Sequence, residues 1–198
     1  MTTILSSLID IFAQAFVVLY PPVLAFWLII HSNIEYWRTV GKRAYGAALL
    51  AWPAISLPIL YARATLFSRR WPTPWWIVAI GVLSLCLAAR TLSLAWRVIP
   101  TRTLVGLPEI EPRKNIQPLL ETGIYARTRN PVYVAHFLLI VSAAALSGFA
   151  ANWALVALDT LLLPVMVRTE ERELEHRYGA IYAGYMRRVP RFLPKWPR

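Results

Sequence analysis

The sequence predicts an all-α, polytopic helical membrane protein with about five transmembrane helices, at roughly 20 residues per span, followed by an amphipathic C-terminal helix. Three observations carry this. Of 198 residues, 58% are apolar and only 16% charged, whereas soluble domains hold about half apolar and about a quarter charged residues. Mean hydropathy is +0.49. The charges gather in short clusters between long apolar runs. The net charge of +11 therefore reads as basic flanks on membrane segments, attracted to anionic headgroups, and not as the basic face of a nucleic-acid-binding protein.

The first apolar run, about Leu8 to His31, lacks a basic segment ahead of it and reads as a retained span rather than a cleaved leader. Pro21 and Pro22 near its middle remove two backbone donors, which predicts a kink or break. A polar turn follows, with Arg38, Lys42 and Arg43 against Glu35 and with Tyr36 and Trp37 as interfacial anchors. The second run, Tyr45 to Tyr61, is short and holds Pro53 and Pro58, so tilted, broken and re-entrant forms all stay open. Arg63, Arg69 and Arg70 make the next turn, and Trp71, Trp75 and Trp76 form an aromatic belt. The third span runs from Trp75 to Ile99.

Pro100, Pro108, Pro112 and Pro118 then argue against continuous helix up to Asn130. The fourth span, Val132 to Leu146, and the fifth, Phe149 to Val167, are joined only by Ser147-Gly148, so they form an antiparallel hairpin. Leu174, Tyr178, Ile181, Tyr182 and Tyr185 recur at helical spacing and predict an amphipathic helix over Arg168 to Arg188. The proline-punctuated tail beyond it, with Trp196 as a surface anchor, reads as irregular. Segments 32–44, 100–131 and 168–198 carry 16 basic residues against 3 in 63–74. The positive-inside rule then places the N-terminus outside and the C-terminus in the cytoplasm.

Two polar clusters abut apolar segments. In the first, Pro131 sets the start of the fourth span and biases Asn130 towards extended backbone. Free backbone groups at that helix start, the Arg129 fork and the faces of Tyr125 and Tyr133 suit a ligand with anionic, aromatic or sulfonium groups. An ordinary interfacial helix start accounts for the same residues. In the second cluster, Glu170 and Glu171 suit either a ligand ammonium or ribose, or the dipole of a helix beginning there. The hairpin brings both clusters to one membrane face. Arg90 and Asp159, ionisable and inside spans, lie at similar depth and are expected to pair or to line a polar pocket. Cys86 stands alone, so an intrachain disulfide and a cysteine metal site are excluded. His31, His136 and His176 show no metal-ligand spacing, and P-loop, GxSxG and GxGxxG motifs are absent.

Together the clusters resemble the integral-membrane methyltransferases that include the isoprenylcysteine carboxyl methyltransferases and the phospholipid methyltransferases. The residues carrying the resemblance are Gly123, Tyr125, Arg129, Asn130, Pro131, Tyr133 and Ala135, then Glu170-Glu171, Tyr178-Gly179, Tyr182, Tyr185, Val189-Pro190 and Pro194. Asn130 and Ala135 depart from the family's usual His and Gly. The resemblance covers about residues 115–195 and implies a single membrane methyltransferase domain. In it, residues 1–99 form the N-terminal spans and residues 100–198 the cofactor loop, hairpin and C-terminal helix.

It further implies S-adenosylmethionine as methyl donor. Leu119, Leu120, Tyr125, Asn130, Pro131 and Tyr133 would form one wall of its site, and Glu170 and Glu171 the other. Arg129 and Arg191 would orient the substrate headgroup or the cofactor carboxylate. The implied acceptor is a lipid-like molecule from the bilayer, either a phospholipid headgroup or an isoprenylcysteine-type carboxylate, and no metal is implied. A shorter relative of NADPH-dependent sterol reductases, or a non-catalytic membrane protein, is the alternative.

Overall fold

The structure, a computed structural model, describes residues 2–114 and 117–193. Seven helices organise it: α1 (Thr2–Ser32), α2 (Ile34–Val40), α3 (Ala44–Tyr61), α4 (Trp75–Trp96), α5 (Pro131–Ser147), α6 (Ala150–Tyr178) and α7 (Ala180–Arg188). Single turns punctuate the connections, at Arg63–Leu66, Thr101–Leu104, Leu107–Ile110 and Gly123–Ala126. Among the described residues, four stretches are long and apolar enough to cross a membrane: Ile4–Ser32, Ile34–Tyr61, Trp75–Trp96 and Ala150–Tyr178. The shorter apolar Pro131–Ser147 is enclosed among them. The protein is a polytopic helical membrane protein, as its composition predicts.

Packing follows residue size. The buried face of α4 is Gly81, Ser84, Ala88 and Ala95, and it lies along α5, whose buried residues include Ala135 and Ser142 to Ala145. A methyl group added at Gly81 would come within 2.8 Å of Leu146. Small residues let helix backbones approach closely where lipid gives no hydrophobic drive. Larger residues fill the centre, where Val17, Tyr20 and Leu24 of α1 meet Ile140 of α5 and Leu155, Leu163, Met166 and Val167 of α6. The outer surface is apolar, with Leu49, Leu50, Trp75, Leu83 and Leu161 exposed as a lipid-facing coat requires.

Several expectations are corrected. α1 does not break at Pro21 and Pro22 but stays helical through them, and α3 likewise stays helical through Pro53 and Pro58. Pro22 leaves the Val18 carbonyl without its helical donor, and the hydroxyl of Ser56 on α3 supplies one at 3.0 Å. The helix of the fifth span does not end at Val167. α6 continues to Tyr178, and only then does the chain turn at Gly179 into α7. Its 29 residues give about 43 Å of helix against about 30 Å of hydrocarbon. The last turns, carrying Glu170 to Tyr178, therefore extend towards the headgroups.

Arg90 and Asp159 do not pair. Arg90 is exposed on α4, while Asp159 is fully buried and accepts a hydrogen bond from the Tyr20 hydroxyl at 3.2 Å. Equal depth fixed neither helix's rotation. The expectations for Pro194 and Trp196 lie outside the described residues.

The two faces of the bundle differ. On the face of the α5–α6 turn, Arg70 grips Asp10 at 2.6 and 3.1 Å and lies 4.0 Å over the Phe149 ring. The Trp71 amide donates to the Gly148 carbonyl at 2.8 Å. On the opposite face, the ends of α1, α4 and α6, the start of α5, the 97–130 connection and α7 converge on one cavity.

Candidate functional site in the cavity at the converging helix ends

Pro131 is the first helical residue of α5, and the Asn130 side chain does not cap it. Asn130 instead points its amide at Glu171 (3.4 Å) and at the Arg191 carbonyl (3.1 Å). Glu171 is the centre of a buried knot. Its Oε1 accepts from Arg129 at 2.8 and 2.9 Å, and its Oε2 from Arg191 at 2.6 and 2.9 Å. The Arg129 guanidinium also donates to the carbonyls of Met186 and Val189 at the end of α7, at 3.0 and 2.8 Å. Thr128 donates to the Phe192 carbonyl at 2.9 Å. One segment, 128–130, thus clamps the hairpin to the C-terminal strap.

Beside this knot lies a cavity of about 380 Å³, within the usual size of small-molecule sites. Leu119, Leu120, Tyr125, Arg129, Asn130, Pro131, Tyr133 and Glu170 line it. Glu171 and Arg191 do not line it and lie behind that wall in the knot. Helix register orders the cavity in depth. Tyr178, Tyr182 and Tyr185 form its outer end. Tyr20, Leu24, His136 and Met166 form its inner end, together with Leu92 of α4.

The outer tyrosines are packed with Leu119 and Leu174, and the Tyr185 hydroxyl donates to the Tyr125 carbonyl at 2.7 Å. Burial pushes the phenols of Tyr125, Tyr182 and Tyr185 above their ordinary range. They therefore act as neutral hydrogen-bonding walls with aromatic faces.

Two polar groups facing this cavity are unsatisfied. Glu170 Oε2 and Arg177 Nε are buried without a hydrogen-bond partner. Glu170 does hold the Tyr133 hydroxyl through its carboxylate. Arg177 spends its other nitrogens on Glu173 (3.0 Å) and on the Pro108 carbonyl (2.9 Å). Buried polar groups are seldom left unpaired, and both of these belong to residues that line the cavity.

Sequence reasoning missed Tyr20, Trp27, Glu109 and Arg177, which also line the cavity, and His31, which pairs with Glu109 at 3.2 Å. These come from α1, from the 97–130 connection and from the end of α6, where no local spacing connects them to the two clusters. Among the described residues, no group of three or more His, Cys, Asp or Glu is arranged to hold a metal ion.

A family model described as phospholipid methyltransferase matches residues 76–181, more than half of the chain. The cobalt-zinc-cadmium resistance protein CzcN of Cupriavidus metallidurans is 32% identical over 130 residues, 64% of this chain and 54% of that protein. The nickel-cobalt-cadmium resistance protein NccN of Alcaligenes xylosoxydans xylosoxydans is 28% identical over 148 residues, 73% of this chain and 63% of that protein. The chain thus spans a little over half to about three fifths of the length of these relatives. No solved structure matches it.

Proposed function

The chain belongs to the phospholipid methyltransferase family, and from that premise we propose that it transfers a methyl group from S-adenosylmethionine to a lipid-like acceptor at the membrane. The observation that carries this reading is the cavity. It joins an outer, tyrosine-walled end beside the Gly123–Tyr133 segment to an inner, apolar end between α1 and α4. A soluble donor and a membrane-borne acceptor would enter from opposite ends of such a space.

The residues fit the donor. Tyr125, Tyr133 and Tyr178 offer faces for an adenine or a sulfonium. Glu170, with an unsatisfied buried oxygen, offers an acceptor for an ammonium or for ribose hydroxyls. Leu119, Leu120, Asn130 and Pro131 complete the wall. When bound, S-adenosylmethionine supplies an activated methyl group, and the protein's task is alignment and exclusion of water. In this reading Arg129 and Arg191 act through Glu171, which they hold against the strap, so that the outer wall is set before any ligand arrives.

Residues 1–198 are read as one catalytic domain in which the first three spans shape the acceptor end. The positive face, which carries the cavity mouth, is assigned to the cytoplasm by its basic residues. The relatives' names speak of metal resistance, but the chemistry lining this cavity suits an organic ligand.

Calorimetric titration of the purified protein with S-adenosylhomocysteine, and separately with NADPH, tests the reading. Binding of S-adenosylhomocysteine alone, weakened at least about tenfold by Glu170→Gln, is expected. Binding of NADPH alone would replace it with a reductase function.

A further inference from the structure

We propose that Glu109, oriented by His31, receives the reacting nitrogen of an amine acceptor and takes its proton. This rests on the methyltransferase reading above and assigns a proton acceptor and its positioning residue to that same site. Neither residue belongs to the two motifs that first marked the site.

Glu109 lies in the single turn Leu107–Ile110 of the long connection. A glutamate in such a loop would ordinarily reach water, because burying a carboxylate is costly. Here it is 6% exposed and lines the cavity. The turn that carries it is anchored from three helices. From α1, His31 meets Glu109 at 3.2 Å, with the imidazole side chain fully buried and its Nδ1 without a partner. The same helix stacks Trp27 on His31 at 5.3 Å between ring centres. Trp27 also presses on Gly106, where a methyl group would meet its ring at 2.7 Å. Gly106 sits in the left-handed region with φ +73°, so the turn needs glycine on both counts. From α2, Arg38 donates to the Glu109 carbonyl at 3.1 Å. From α6, Arg177 donates to the Pro108 carbonyl at 2.9 Å.

Charge selects the acceptor. The cavity wall presents two carboxylates, Glu109 and Glu170. Its arginines are each paired with a carboxylate that does not line it, Arg129 with Glu171 and Arg177 with Glu173, which leaves Arg177 Nε alone without a partner. A carboxylate acceptor would meet like charge, whereas an ammonium headgroup meets its complement. An ammonium has no lone pair, so it must first lose a proton, and the Glu109 carboxylate accepts it. The freed lone pair then forms the N–C bond as the donor's S–C bond breaks, and that bonding pair stays on sulfur as a neutral thioether. Glu109 keeps the proton until the product leaves. His31 does not reach the cavity in this scheme and is a positioning residue.

The charged and titratable groups facing Glu109 are His31 from α1, Arg38 from α2 and Tyr45 from α3. Tyr133 faces it from α5, and Glu170, Glu173, Arg177 and Tyr178 from α6.

The test uses the full chain in nanodiscs. S-adenosylhomocysteine binding is measured first, for the wild type, Glu109→Gln, His31→Asn and His31→Leu. Dodecylamine and dodecanoate are then titrated into the S-adenosylhomocysteine-loaded proteins across pH 6 to 9, and methyl transfer to dodecylamine is followed over the same range. The wild type is expected to bind the amine at least about tenfold better than the acid. Glu109→Gln loses that preference, and its transfer rate falls about a hundredfold or more, while S-adenosylhomocysteine affinity is retained. His31→Asn, which still offers Glu109 a hydrogen bond, keeps more of the preference than His31→Leu. Equal binding of amine and acid by the wild type overturns the proposal alone, as does an unchanged pH profile in Glu109→Gln. A wild type that does not bind S-adenosylhomocysteine removes the methyltransferase reading and this proposal with it.

Discussion

Glu170 and Glu171 are neighbours with different environments. Glu170 faces the cavity with an unsatisfied oxygen, and Glu171 turns away to hold two arginines. Adjacent helical positions differ by about 100° in direction, which is why one dipeptide serves a cavity wall and a structural knot together. Removing one member of a buried ion pair leaves its partner uncompensated, at a cost of about 3–5 kcal/mol. Glu171→Gln should therefore lower the unfolding temperature well beyond the effect of Glu170→Gln. It should also loosen the C-terminal strap, seen as faster proteolysis after Arg187 or Arg188. Equal melting of the two variants would contradict this division of roles. The motif spacing made both glutamates legible in the sequence, but their separate directions follow from helix rotation, which spacing of two adjacent residues does not encode.

At the scale of elements, the α5–α6 hairpin is the most fully specified part of the chain. Gly148 ends α5 at φ +71°, and a methyl group there would meet the Trp71 carbonyl oxygen at 2.6 Å. Gly148→Ala should destabilise by more than the roughly 1–2 kcal/mol that the left-handed conformation alone costs, because the backbone of the 68–73 segment must also move. Gly46 is the control. It lies inside α3 with nothing near its absent side chain, so Gly46→Ala should be neutral or slightly stabilising. Thermal unfolding of both in detergent checks the pair.

The hairpin was readable because a two-residue polar break between apolar runs permits little else. The end of the helix that carries the fifth span was not. The charged run after Val167 looks like a new surface helix, yet helical backbone bonds continue through it, and the break comes at Gly179. Polarity marks where the membrane ends, which is a different boundary from where the helix ends.

For the whole molecule, the segments after α1, after α4 and after α6 meet on one face, held by contacts such as Arg38 with the Glu109 carbonyl, Tyr178 with the Gln117 carbonyl and Tyr185 with the Tyr125 carbonyl. If that face is cytoplasmic, opposite labelling is expected from two exposed positions. With Cys86 replaced by serine, an impermeant thiol reagent should modify Ser68→Cys in intact cells and Ala180→Cys only after permeabilisation. The reverse pattern would invert the proposed orientation. Basic residues carry this expectation, because their count along the chain is asymmetric across the spans.

The sequence by itself determined the fold class, the helical hairpin, the family and which residues form one wall of the cavity. All four depend on local properties: the length of apolar runs, the proline and glycine punctuation, and the fixed spacing of the Gly123–Tyr133 and Glu170–Glu171 clusters. Tertiary structure alone decided the partners of the buried charges. Asp159 finds Tyr20 rather than Arg90, Glu171 finds Arg129 and Arg191, and Glu109 finds His31 across 78 positions of sequence. A buried charge takes whichever partner helix rotation and close packing bring within hydrogen-bonding distance, and neither is written in the order of residues along one segment.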